Sequence, residues 1–98
     1  MKPIATRVAL TLFLVGSFTS GAQVNSVRVA SAVMKREIPA TVVIPDACAA
    51  EPARKFPTLY LLHGAGDNER GWLDRSPVRE MADTYGVIIV TPSTGNSW

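Results

Sequence analysis

The sequence predicts an α/β fold in which an antiparallel pair of strands precedes a parallel strand–helix–strand unit, with the domain left incomplete. Three observations carry this. Thr58-Leu-Tyr-Leu-Leu62 and Val87-Ile-Ile-Val90 are short apolar runs without alternation, the pattern of strands covered on both faces in parallel sheets. Between them Val78, Met81, Ala82 and Tyr85 recur at i, i+3, i+4 and i+7, which makes one apolar face of a helix. Ahead of them Val27 and Val29 alternate with Ser26 and Arg28, and residues 38–44 form a β-branched run; together these read as an antiparallel pair.

The first element is a leader. Lys2 and Arg7 are the only charges before position 28, residues 8–18 are an apolar run, and Thr19-Ser20-Gly21-Ala22 supplies small residues. This order is a secretory signal, with Ser20 and Ala22 at the positions that a signal peptidase reads. Residues 1–22 are therefore expected to be removed, and the product to be exported to the periplasm or medium of a bacterium. The apolar run is shorter than the roughly 18 residues that a membrane span requires, so no stable span is expected after removal. From residue 23 onward eight basic residues face eight acidic ones, so net charge gives no reason to expect nucleic acid as a partner. With 98 residues, 47% of them hydrophobic and 18% charged, the chain holds one small domain at most and is not disordered.

The remaining elements follow in order across residues 23–98. In the second strand Pro39 predicts a place near an edge, and Pro45-Asp46 ends it. A small, polar surface loop carries Cys48, a thiol with no partner in this chain. After the first buried run and a Gly-rich turn, Ser76 is expected to cap a helix whose first position is Pro77. Gly86 supplies the left-handed exit, and Pro92 stops the last strand. Two parallel strands and one helix leave a sheet face uncovered and edges unpaired, so the chain reads as the front part of a larger domain.

The chemistry is concentrated in Leu61-Leu-His-Gly-Ala-Gly-Asp-Asn-Glu-Arg-Gly-Trp72. A buried strand there runs into His-Gly-x-Gly at the carboxyl edge of a parallel sheet, where α/β enzymes place their sites. Glycines allow the backbone to turn sharply and to aim N–H groups at a developing oxyanion, each such donor being worth about 3 kcal/mol in acyl transfer. His63 reads as a structural residue of the turn, Trp72 as packing under the loop, and Asp67 and Asp74 as solvated turn residues. One His among scattered carboxylates offers no metal-ligand spacing, and no cofactor is expected.

Residues 38–98 resemble the N-terminal part of the esterase D-like (S-formylglutathione hydrolase-like) family of the α/β-hydrolase fold. The residues that match are Ile44-Pro45, Tyr60-Leu-Leu-His-Gly64, Gly71-Trp72, Ala82-x-x-Tyr-Gly-Val-Ile-Ile-Val90, Pro92 and Asn96-Ser-Trp98. The resemblance implies a serine carboxylic-ester hydrolase acting through an acyl-enzyme on a small-molecule or carbohydrate ester. It implies that the Ala65 backbone N–H lines the oxyanion hole, that Gly64 and Gly66 shape its turn, and that Asn96, Ser97 and Trp98 border the acyl pocket. A Gly-x-Ser-x-Gly elbow and the acid and base of a triad are not found in these residues, so the chain alone is expected to be inactive. An acyltransferase to a sugar on the same scaffold and a non-catalytic exported binding module remain alternatives at this point. Oligomeric state is not readable from the sequence.

Overall fold

The computed structural model describes residues 21–95. Residues 1–20, which hold most of the expected leader, and Asn96, Ser97 and Trp98 lie outside the described residues. One mixed sheet is formed by β1 (Gln23–Ser31), β2 (Arg36–Ile44), β3 (Thr58–Tyr60) and β4 (Ile88–Pro92), in the spatial order β1-β2-β4-β3. β1 and β2 form an antiparallel hairpin, β2 and β4 are antiparallel, and β3 runs parallel to β4. The expected antiparallel pair followed by a parallel strand–helix–strand unit is the fold observed.

Three helices accompany the sheet among the described residues: α1 (Ala47–Ala50), α2 (Gly71–Arg75) and α3 (Val78–Tyr85). The first two are single turns within segments that read as loops. α3 packs Val78 and Ala82 against the sheet, and with Ala22, Val43 and Ile89 these form the core cluster. Burying each Val or Ile side chain of this cluster stabilises the fold by roughly 1.5–3 kcal/mol, and each Ala methyl group by roughly half the lower figure. Gly86 closes the helix at φ 61, the left-handed conformation that glycine adopts without penalty.

Strand alternation sorts the two faces of the sheet. Val43 and Thr41 of β2 lie opposite Ile89 and Thr91 of β4 and are buried on the α3 side. Val27, Val29, Tyr60 and Val90 fall on the other face, which holds an open apolar groove of about 410 Å³.

Three expectations are corrected. β2 is an inner strand, not an edge, despite Pro39. The N–H and C=O of a strand residue point the same way, and the Pro39 carbonyl accepts the Ser93 N–H at 2.8 Å, just beyond the last paired residue of β4. The missing donor therefore faces the place where the ladder has already ended. Ser76 does not cap α3: its hydroxyl donates to the Trp72 carbonyl at 2.5 Å and finishes α2, while Pro77 is the cap residue of α3 and not its first helical position. Met81 and Tyr85 share the predicted helix face with Val78 and Ala82 yet are 44% and 70% exposed, because the short sheet reaches only the inner half of that face.

Candidate active-site loop

The parallel pair sends its two carboxyl ends to one edge of the sheet. β3 leaves into residues 61–67 and β4 into residues 93–95, so the two exit segments lie side by side where open α/β sheets bind ligands. The Asp67 N–H donates to the Gly64 carbonyl at 3.1 Å, closing a four-residue turn. Gly66 has φ 77 at its third position, and Ala65 is not among the residues of positive φ, which together define a type II turn. Glycine is required at position 66 by that conformation. Gly64, Ala65 and Gly66 are all exposed, and no described group accepts the Ala65 N–H.

His63 joins the two exits. Its side chain is 5% exposed; the Thr94 N–H donates to Nε2 at 3.3 Å, which leaves Nδ1 protonated to donate to the Gly64 carbonyl at 2.7 Å. The ring thus grips the first residue of the turn from the neighbouring strand's exit, as the structural reading of this histidine requires. On the far side the Arg36 guanidinium donates to the Thr94 carbonyl at 3.0 Å, so the β4 exit is held from two directions.

Behind the turn a second set of contacts fixes residues 67–76. Thr91 donates its hydroxyl to the Glu69 carbonyl at 2.7 Å, and the Thr41 hydroxyl in turn contacts the Thr91 hydroxyl. Both threonines are fully buried, so this pair is a polar post rising from the sheet to a loop carbonyl. Trp72 donates its indole N–H to the Leu62 carbonyl at 3.0 Å, which ties α2 to the loop, and remains 39% exposed. His63, Gly64, Asp67, Gly71, Trp72, Arg75 and Ser76 enclose a cleft of about 180 Å³ beside the turn.

Asp67 is more than a solvated turn residue. It is ion-paired with Arg75, and its Oδ1 also accepts the Asn68 N–H at 2.9 Å. The Arg75 hydrogen bond first, and the Asn68 N–H second, hold the Asp67 carboxyl below its ordinary value. A side chain on Gly71 would displace this carboxylate. Asp74 pairs with Arg70 at 3.3 Å on the exposed side of α2. Among the described residues no group of His, Cys, Asp and Glu has the arrangement to hold a metal ion.

Sequence reasoning singled out Gly64, Ala65 and Gly66, and the structure brings them together in the turn; Asn96, Ser97 and Trp98 fall outside the described residues. It missed Thr41, Thr91 and Arg75. The signal for the threonines was present: Thr41 and Thr91 interrupt otherwise aliphatic strands at positions that alternation sends to the buried face.

No protein-family model matches the chain, and no curated protein matches it by sequence. Solved structures do. A ferulic acid esterase is 30% identical, with a TM-score of 0.69 over 79% of this chain and 33% of its own. An S-formylglutathione hydrolase from Agrobacterium tumefaciens is 20% identical, with a TM-score of 0.69 over 84% of this chain and 28% of its own. An S-formylglutathione hydrolase from Staphylococcus aureus is 20% identical, with a TM-score of 0.63 over 76% of this chain and 31% of its own. The chain therefore spans about a third of the length of these structures.

Proposed function

The chain fits the esterase D-like family of the α/β-hydrolase fold as a partial domain, and from that premise we propose that the whole protein is an exported serine carboxylic-ester hydrolase. The observation that carries the reading is the type II turn at the carboxyl end of β3, with an exposed and unclaimed Ala65 N–H. In the proposed reaction a serine contributed by the rest of the protein attacks the ester carbonyl. As the serine oxygen bonds to the carbonyl carbon, its proton passes to a base supplied by the rest of the protein, the C=O π electrons move to the oxygen, and the Ala65 N–H donates to the oxyanion that forms. Collapse of that tetrahedral species expels the alcohol or thiol and leaves an acyl-enzyme, which water then hydrolyses. Gly64 and Gly66 give the turn its shape, and His63 holds its carbonyl side away from the developing charge.

The pattern of residues 1–22 supports export, and among the described residues no helix is long and apolar enough to cross a membrane. Short-chain acyl esters and methyl ferulate are the first substrates to try, the second because a feruloyl-ester hydrolase is among the similar structures.

The test is Ala65→Pro in the whole protein. Proline is favoured at the second position of a type II turn, so the backbone keeps its course while the N–H disappears. The expected result is a fall in kcat of about 100-fold or more with KM little changed. Unchanged kcat in a folded variant overturns the oxyanion assignment. Failure of the wild-type protein to hydrolyse any ester, or to be labelled by a fluorophosphonate at serine, overturns the hydrolase reading itself.

A further inference from the structure

Ala22 stands directly before β1 and is completely buried in the core cluster with Val43, Val78, Ala82 and Ile89. Its backbone is held at both ends. The N–H donates to Asp83 Oδ2 at 2.8 Å, and the carbonyl accepts from Arg79 Nε at 2.7 Å. Asp83 Oδ1 accepts the Asp46 N–H at 2.8 Å, so one carboxylate ties Ala22 to the corner where β2 ends. Gly21 differs: it has φ 133, is only half-buried, and makes one contact of this kind, from its N–H to Asp46 Oδ2 at 2.7 Å.

The small residues before β1 offer a signal peptidase two phases, because it reads the first and third residues before the cut. Ser20 and Ala22 place the cut after Ala22; Thr19 and Gly21 place it one bond earlier. The pattern alone favours the first, being nearer to Ala-x-Ala. Folding favours the second. A chain starting at Gln23 loses the buried methyl group and both backbone bonds of Ala22, and leaves a void against Val43 and Ala82.

Building on the export reading above, we propose that the processing site is the Gly21–Ala22 bond, and that the new amino terminus of Ala22 is seated on Asp83. Water adds across that peptide bond, giving a carboxylate on Gly21 and an α-ammonium on Ala22. The ammonium nitrogen occupies the place from which the Ala22 amide bonds Asp83. It has three protons to donate, so it keeps the Asp83 contact and directs a second proton toward the Asp46 carboxylate that Gly21 vacates. Release from the leader thus replaces a neutral amide donor to the Asp83 carboxylate with a charged ammonium donor.

The experiment is amino-terminal sequencing and intact mass of the whole protein recovered from outside the cytoplasmic membrane of an exporting bacterium. The expected terminus is Ala-Gln-Val-Asn. A terminus of Gln-Val-Asn, or any other cut, overturns the proposal and leaves export standing. Retention of Met1 in the recovered protein overturns the proposal, and absence of the protein from that fraction overturns export with it. A second measurement compares melting of mature proteins that begin at Ala22 and at Gln23, each with and without Asp83→Asn. The Ala22 form should melt several degrees higher, and Asp83→Asn should lower it more than it lowers the Gln23 form. Equal melting of the two forms, or equal effects of Asp83→Asn, overturns the proposed seat.

Discussion

On the helix side of the sheet Thr41, Val43, Ile89 and Thr91 are all buried, whereas on the opposite side Val27, Val29 and Tyr60 are 37%, 53% and 65% exposed. The two faces draw on the same strands and are both rich in apolar side chains. Only one has a layer packed on it among the described residues. Thr58-Leu-Tyr-Leu-Leu62 reads as covered on both sides, yet Tyr60, on the open face, and Leu62 beyond it are 65% and 55% exposed. The lack of alternation in such a run records the burial that a complete domain would impose, and a partial domain displays the difference as an open apolar face.

The sharpest way to break this comparison is to place one charge on each face. In the 98-residue chain Val43→Asp buries an unpaired carboxylate and should cost on the order of 4 kcal/mol, enough to remove the cooperative urea transition. Val29→Asp in the same chain should change stability by no more than about 0.5 kcal/mol. Equal losses from the two variants, read by far-ultraviolet circular dichroism, mean that something covers the open face after all. In the whole protein the proposed remaining layer should bring the cost of Val29→Asp close to that of Val43→Asp.

A smaller effect sharpens what the covered face does for the loop. Thr91→Val leaves the Glu69 carbonyl with only the longer contact from the Thr41 hydroxyl at 3.5 Å and should cost about 1–2 kcal/mol in urea unfolding, with faster amide exchange over residues 67–70. Thr41→Val should cost less, because Thr91 still donates to Glu69. The loop is thus supported from the buried face, and its support is polar.

Gly86→Ala tests the geometry by which α3 hands the chain to β4. With φ 61 at that position, the substitution should cost about 1 kcal/mol, seen as a lower urea midpoint with unchanged slope. The Asp67–Arg75 pair, on the exposed rim, should matter least. Its folded-state carboxyl lies below the ordinary range, so its contribution is present at every pH above about 4 and disappears as acid carries the solution through the lowered value. Asp67→Asn should therefore shift the urea midpoint slightly at pH 7 and progressively less as acid carries the solution through the lowered value.

Much of the fold was legible because its signals are local. The breaks at Pro45 and Pro92, the exit at Gly86 and the two apolar runs each state a backbone requirement in the residue itself. The Gly64-Ala65-Gly66 turn was legible for the same reason. What was hidden depends on partners that the residue itself does not name. Ser76 is a good cap in either direction, and only the approach of Trp72 decides which helix it serves. Pro39 signals an edge unless the neighbouring strand happens to stop beside it, as β4 does. Thr41 and Thr91 are fifty residues apart and mean nothing singly; their hydroxyls become a support only once β2 and β4 pair. The single turns of α1 and α2 are too short for a period to show.

The strand order has a consequence in time. β1 and β2 are joined by a tight hairpin and can meet as soon as both exist, but β2's other neighbour is β4, the last strand of the described residues. β3 emerges earlier and does not pair with β2; it must wait for β4 to enter between them. Closing the long intervening segment has an entropic cost that must be met before either of β4's pairings forms. Substitutions in β4 should therefore slow folding, whereas those in the β1–β2 hairpin that leave its pairing to form early should act elsewhere on the kinetics. Until β4 arrives, the turn that follows β3 has no scaffold to stand on.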